Sequence, residues 1–411
     1  MGLFVQKFGG TSLGDLELIH KAAQRIIHTQ ERGHQVVAVV SAMGHSTDEL
    51  VSLARRVHPH PSPREMDIVM TTGEQISAGL MALQLQALGT PAQALVQHQI
   101  GIVTNGQYGN ARILEVQTDR IRSVLAQGAV PVIGGFMGTT PEGELTTLGR
   151  GGSDTTAVAI AAALGAEACE IYTDTEGVYT TDPHLIPEAR KLEVIGYDQM
   201  LELAALGAQV LHPRAVWYAK RYGVKLHVRS SFSYNTGTLV MEEAMKMERV
   251  VTGATLDLNH AQIGLVGIPD RPGIAARLFA ALAREGIAVD TIIQGVPGST
   301  ASRHHMAFTL AKDELDRAVS ALQAVLEEIG GQITVVPQVA KVSIVGVGLA
   351  STPEVPPKMF EAVASVGANI EMISTSEVKL SVIIPAELGQ EALAAVHRAF
   401  NLDQLASEAG E

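Results

Sequence analysis

Between Leu3 and Val228, short runs of β-branched and apolar residues alternate with longer stretches in which apolar positions recur every three or four residues. That alternation predicts a largely parallel sheet sandwiched by helices, an open α/β architecture. The strand candidates are Leu3–Lys7, Gln35–Ser41, Ala129–Gly134, Cys169–Thr173 and Lys225–Val228. The first four run directly into loops rich in small and polar residues: Gly9-Gly10-Thr11-Ser12, Ala42-Met43-Gly44, Gly135-Phe136-Met137-Gly138 and Asp174-Thr175-Glu176-Gly177. Ligands of open α/β sheets bind beyond the carboxyl ends of the strands, so these loops are expected to converge on one site.

Past Gly237 the period changes, and a polar stretch carrying Met241, Met245 and Met247 reads as a linker. Beyond that linker a β–α–β pattern occurs twice. The pairs Phe279/Phe360, Gly286/Gly367 and Asp290/Glu371 each lie 81 residues apart. Two copies of that length predict two small related α+β units rather than a solenoid. The expected division is 1–245, 263–335 and 340–411. Sheets of this size expose edges that invite pairing with a second copy, so residues 263–400 are expected to hold at least a dimer.

Composition narrows the partners. The 411 residues hold 30 Lys and Arg against 43 Asp and Glu, a formal charge of −13, with no basic run. The positive surface that nucleic acid or an anionic membrane would require is missing. Cys169 is the single cysteine and reads as a small buried residue at the start of a strand. The start of the sequence shows no basic segment followed by an apolar one, and the longest apolar stretch, near Ala157 to Leu164, is far short of a membrane span. A cytoplasmic protein is expected.

Three motifs carry candidate chemistry. Lys7-Phe8-Gly9-Gly10-Thr11-Ser12 places a lysine and close-approaching glycine amides at a strand end, a phosphate cradle that matches neither the G-x-x-x-x-G-K-[ST] nor the G-x-G-x-x-G pattern. Thr146 through Thr156 sets Arg150 between glycines ahead of a small-residue helix, which Ser153 or Asp154 could cap, an arrangement suited to an anion. Ile171 through Pro183 supplies Thr, Asp and Tyr groups for a ribose, a base and, through water, Mg²⁺. Gly10-Thr11-Ser12-Leu13-Gly14 also satisfies the G-x-S-x-G elbow of hydrolases, but only eleven residues precede Ser12, too few for the strand and loop that supply the oxyanion hole in that fold. No histidine pairing at metal-ligand spacing occurs on a helix, and no protein metal site is expected.

Taken together and in this order, the motifs resemble those of the aspartate kinases of the amino acid kinase superfamily, and the repeats resemble tandem ACT domains. The resemblance covers nearly the whole chain. It implies MgATP-dependent phosphorylation of the β-carboxylate of L-aspartate, with Mg²⁺ held mainly by the ATP phosphates, as the first step towards lysine, threonine and methionine. A carboxylate nucleophile is already ionised at neutral pH and needs no general base. Carried over by residue, Lys7 and Asp154 are the catalytic pair, and Ser41, Thr47, Glu74, Phe136, Arg150 and Ser153 form the aspartate pocket. Glu74 meets the substrate ammonium, and Arg150 forks onto a carboxylate. Lys7, Gly9, Gly10, Ser12, Thr173, Asp174, Tyr179 and Asp182 hold the nucleotide.

Two positions depart from that pattern: His184 and Gln209 stand where many relatives carry a basic residue near the ATP phosphates. The alternatives are therefore a kinase of another amino acid, or a catalytically weak regulator that binds ligand through its ACT domains. In the repeats, Asp270, Ala275 and Gln294 with Asn369 and Ile370 match an effector pocket, expected to take threonine. Lysine is the weaker co-effector candidate, because Pro297 and Ala307 replace hydroxyl residues. A further partner implied by the resemblance is a regulatory subunit translated separately from a start near Met245.

Overall fold

The computed structural model describes residues 2–208, 210–242, 250–295 and 303–404; Gln209, Met245, Met247 and Pro297 lie outside them. The chain forms two compact units. One comprises Met1–Tyr179 and Lys191–Met247, the other Thr180–Arg190 and Glu248–Glu411.

The first unit is built on an eight-stranded sheet. At its centre the five expected runs lie side by side and parallel, in the order Leu226–Ser230, Ala168–Thr173, Leu3–Phe8, Gln35–Val40 and Val130–Gly134. Ala92–Leu95 closes one edge; Thr238–Val240, antiparallel to Leu226–Ser230, and Val194–Ile195 close the other. The valines of Gln35–Val40 are all fully buried, as a strand covered on both faces requires. Helices Leu16–Glu31 and Pro63–Ala87 pack Ile19, Ile26, Met81 and Leu85 against Phe8, Val36, Ala38 and Val132. Asp15 starts the first of these helices by accepting from Leu18 N at 2.8 Å. Helix Gly152–Leu164 packs on the strand Leu3–Phe8 from the side to which Lys7 points. A separate four-stranded sheet, in the order Ile113–Val116, Ile102–Thr104, Met137–Thr139 and Leu145–Thr147, has no counterpart in the sequence reading.

The second unit holds a six-stranded antiparallel sheet in the order Val289–Gln294, Arg303–Ala311, Val251–Pro269, Gln332–Gly346, Lys379–Pro385 and Met372–Thr375. Its two long strands pair along their length, from Val251 opposite Gly346 to Val266 opposite Gln332. One sheet therefore runs through both repeats, and the expected division between 335 and 340 falls inside a single strand. The helices Ile274–Arg284 and Val355–Ala364, which carry Phe279 and Phe360, are followed by Gly286 and Gly367 at φ +70° and +76°. Glycine at both positions ends the helix in the left-handed conformation at no steric cost.

Thr180–Arg190 is part of this second unit. Ile186 is buried among Val251, Ala254, Val342, Val396 and their neighbours. The Thr180 carbonyl accepts from Ala254 N at 2.7 Å, its hydroxyl donates to Leu402 O at 3.1 Å and lies 3.0 Å from His397 Nε2, and Arg190 Nε donates to Asp403 O at 2.6 Å. His397 is completely buried, and burial lowers its pKa.

Candidate active site

The strand ends of the first unit meet as expected from their loops. Ser41 N donates to Phe8 O and Gly44 N to Gly10 O, which stitches the first glycine loop to the second. A Cβ at Gly10 would stand 3.0 Å from the carbonyl oxygens of both Ala42 and Gly44, so a larger residue would push the two loops apart by a few tenths of an ångström. Lys7 Nζ lies 2.6 Å from Asp154 Oδ1, both side chains being nearly nine-tenths buried. Thus a strand-end lysine, glycine amides and a helix first turn share one place.

Helix Gly152–Leu164 begins differently from the expectation. Its N-cap is Gly151, at φ +65° and without a side-chain cap, so Ser153 and Asp154 sit inside the first turn and cap nothing. The left-handed φ of Gly149 and Gly151 turns the chain sharply on both sides of Arg150, and no non-glycine residue fits there without strain. Arg150 is exposed and makes no hydrogen bond or ion pair among the described residues. Phe136 also has a positive φ, +71°, and is buried; its N–H donates to Thr156 Oγ1 at 3.1 Å and its carbonyl accepts from Leu148 N at 2.8 Å. Strain of this kind persists only where the surroundings hold it, and here it aligns the Gly135–Phe136 turn with the Arg150 turn.

Glu74, on helix Pro63–Ala87, is 4% exposed. One carboxylate oxygen accepts from Ala42 N at 3.2 Å, and the other is buried without a partner among the described residues. Burial pushes its pKa up to about 7. Ser41 and Thr47, both half-buried, flank the Ala42-Met43-Gly44 loop, Thr47 from the first turn of helix Ser46–Val57.

Of the residues expected at the nucleotide, Ser12 is buried with its hydroxyl 2.5 Å from that of Ser231, and Gly9 N donates to Tyr172 O. Thr173 donates to Asp174 Oδ1 at 3.1 Å at the end of its strand, and Tyr179 forms an isolated bridge with Lys191. Asp182 and His184 belong to the second unit, where Asp182 Oδ1 accepts from His184 N at 2.8 Å. The effector candidates also lie in that unit. Ala275 is in the first turn of helix Ile274–Arg284, Gln294 ends an edge strand, and Asn369 and Ile370 follow Gly367; all but the half-buried Ile370 are exposed, as is Asp270.

The residues that support the site lie outside the three sequence motifs. Asp67 is fully buried and accepts from Gly109 N at 2.9 Å, Thr147 N at 2.9 Å and Thr147 Oγ1 at 2.7 Å. Arg214 donates to Leu148 O at 2.8 Å and Ala111 O at 2.6 Å. His212, which caps helix Pro213–Tyr222, packs so closely on Gly151 that a Cβ there would overlap its ring. These three residues fix the turn that presents Arg150. A signal for Asp67 was present: it falls on the inward stripe of its helix with Thr71, Glu74, Ala78, Met81 and Leu85.

No group of three or more His, Cys, Asp or Glu side chains suited to a metal occurs among the described residues, and none of their helices is long and apolar enough to cross a membrane.

Comparison with known proteins accords with this geometry. Residues 2–230 match the amino acid kinase family, and residues 263–326 and 342–400 match an ACT domain. An aspartokinase of Thermus thermophilus is 72% identical over 404 residues, 98% of this chain and all of the relative; one from Geobacillus stearothermophilus is 48% identical over 99% of both chains. Among solved structures, E. coli aspartokinase III in complex with aspartate and ADP superposes with a TM-score of 0.82 at 26% identity, covering 97% of this chain and all of that one. The same enzyme in complex with lysine and aspartate gives a TM-score of 0.75, at 27% identity over 97% of this chain and 99% of the other. The chain belongs to the amino acid kinase family, as an aspartate kinase with tandem ACT domains.

Proposed function

We propose that the first unit transfers the γ-phosphoryl group of MgATP to the β-carboxylate of L-aspartate, giving 4-phospho-L-aspartate at the head of lysine, threonine and methionine biosynthesis. The observation that carries the reading is the Lys7–Asp154 pair, set where the glycine loops and the first turn of helix Gly152–Leu164 meet. The aspartate carboxylate attacks as the anion it already is, and catalysis consists of positioning and charge neutralisation. Lys7 meets the transferring phosphoryl oxygens, with the Gly9 and Gly10 backbone beside it, and Asp154 orients Lys7. The unpartnered oxygen of Glu74 takes the substrate ammonium, and the free Arg150 guanidinium forks onto a carboxylate. Ser41, Thr47, Phe136 and Ser153 complete that pocket. Ser12, Thr173, Asp174, Tyr179 and Asp182 hold the nucleotide. Mg²⁺ is carried mainly by the ATP phosphates, whose charge it neutralises. The E. coli relative's aspartate and ADP support the substrate pair.

The ACT repeats bind an amino acid effector, which we take to be threonine, at Asp270, Ala275, Gln294, Asn369 and Ile370, and they hold at least a dimer. Lysine, bound by the E. coli relative, is the competing effector.

Wild-type protein with MgATP and aspartate is expected to form an acyl phosphate that hydroxylamine traps, while glutamate and N-acetylglutamate give none. Lys7→Ala should lower turnover by about a thousandfold, the scale of losing one preorganised charge at a transition state. Turnover retained in that folded variant would remove Lys7 from the chemistry. Activity titrated with threonine, lysine and both, in wild type and Gln294→Ala, decides the effector.

A further inference from the structure

The first unit contains a cavity of 330 Å³ on the sheet face opposite Lys7. Gln6, Glu170 and His227 are neighbours across three strands on that face, and Gln6 Nε2 reaches Thr29 of helix Leu16–Glu31. The helix covers the sheet over Leu3–Phe8; beside it, above Ala168–Thr173 and Leu226–Ser230, the cavity opens.

Its walls are charged in a sense opposite to the protein as a whole. Arg25, Arg32 and Arg229 line it against a single carboxylate, Glu170, in a chain of net charge −13. That carboxylate is already spent. Glu170 Oε1 accepts from Arg229 Nη1 at 2.9 Å, and Oε2 accepts from Gln6 Nε2 at 2.7 Å and from Tyr172 Oη at 3.0 Å. Among the described residues the buried Nε of Arg229 has no partner, and the exposed Arg32, whose backbone N–H donates to Gln30 O, has a side chain with no hydrogen bond or ion pair. Arg25 is 6% exposed; its Nε and Nη2 are tied to Ser231 O and Ser233 O, and its guanidinium lies 4.3 Å from the Tyr234 ring. An arginine donor left unpaired in a buried wall costs free energy unless an acceptor arrives, and arginine forks suit oxyanions.

We propose that this cavity is a second anion site, distinct from the Lys7 site, and that it takes a small oxyanion of two or more negative charges, held by Arg229 and Arg32 with Arg25 behind them. The site is wired to the phosphate cradle: Ser231, whose carbonyl anchors Arg25, meets the Ser12 hydroxyl in the Gly10–Leu13 turn. Occupancy thereby bears on the loop next to Lys7.

The test is calorimetric titration of the full chain with inorganic pyrophosphate and, in parallel, with citrate, which separates a phosphate-bearing ligand from a polycarboxylate. Lys7→Ala removes one of the two cations of the active site, the other being Arg150, and binding of at least one probe is expected to persist in it. Arg32→Glu, a surface change that leaves the Arg229–Glu170 pair intact, is expected to weaken the binding that persists at least about tenfold, as reversing a charge beside an anion requires. Absence of binding by both probes in Lys7→Ala, or an unchanged isotherm when Arg32→Glu is added, would overturn the proposal.

Discussion

Asp67 and Glu74 lie two turns apart on one face of one helix, both buried, and the fold treats them in opposite ways. Asp67 is saturated by the Gly109 and Thr147 amides and the Thr147 hydroxyl. Glu74 has one bond, from Ala42 N, and an empty oxygen, and burial raises its pKa to about 7. A buried charge that is fully satisfied is scaffold, whereas one left half-satisfied is held ready for a ligand. The helix thus braces the Arg150 turn with one end of its stripe and faces the proposed aspartate pocket with the other.

Three substitutions probe that contrast. The largest effect is expected from Glu74→Gln, which removes the ammonium partner and should raise the KM for aspartate about a hundredfold, the scale of a charge-assisted bond in a dry site. The same change should stabilise the ligand-free protein at pH 8. Because the folded pKa is raised from 4.5 to about 7, the unfolded chain ionises first, and wild-type stability falls as pH rises through that window. The loss reaches at most about 3 kcal/mol, and Glu74→Gln should abolish it; thermal melts between pH 4 and 8 read this directly. Asp67→Asn comes next, leaving buried amides poorly matched. A loss of about 2 kcal/mol in a urea melt is expected, with a lower kcat/KM for aspartate because the Arg150 turn loosens. An unchanged melting curve would demote Asp67 from scaffold. The smallest effect belongs to Arg214→Lys, which keeps the charge but cannot bridge Leu148 O and Ala111 O together. It should cost about 1 kcal/mol and raise the aspartate KM a few-fold, with the KM for ATP unmoved.

Much of the first unit could be read from local pattern. Five apolar runs, four of them ending in loops rich in small and polar residues, became the five central strands, since runs such as Gln35–Val40 need burial on both faces wherever they lie. Lys7 and Asp154 came from separate motifs and meet because both follow from where the strands end. What escaped was set by contacts between distant residues. The four-stranded sheet is made of strands of three or four residues, too short to show a period. The single sheet across both repeats depends on two strands pairing through a register shift near Asp257 and His260, which no repeat spacing encodes. Thr180–Arg190 has little apolar signal beyond Leu185, Ile186 and Ala189, and the partners of Leu185 and Ile186 lie at least 60 residues further on.

That segment also bears on modularity. The second unit is not a cassette at the end of the chain, because a piece of it is encoded in the middle of the first. The polypeptide passes from one unit to the other three times, at Tyr179–Thr180, Arg190–Lys191 and Met247–Glu248. A single cut near residue 247 therefore does not release a whole regulatory half. The excised C-terminal piece would leave behind the plug that Ile186 and Thr180 form against Val251, Ala254 and His397, with an apolar slot and a buried imidazole open to water. Grafting the half onto another kinase calls for transplanting two stretches of sequence, with the shorter, Thr180–Arg190, carrying the lock.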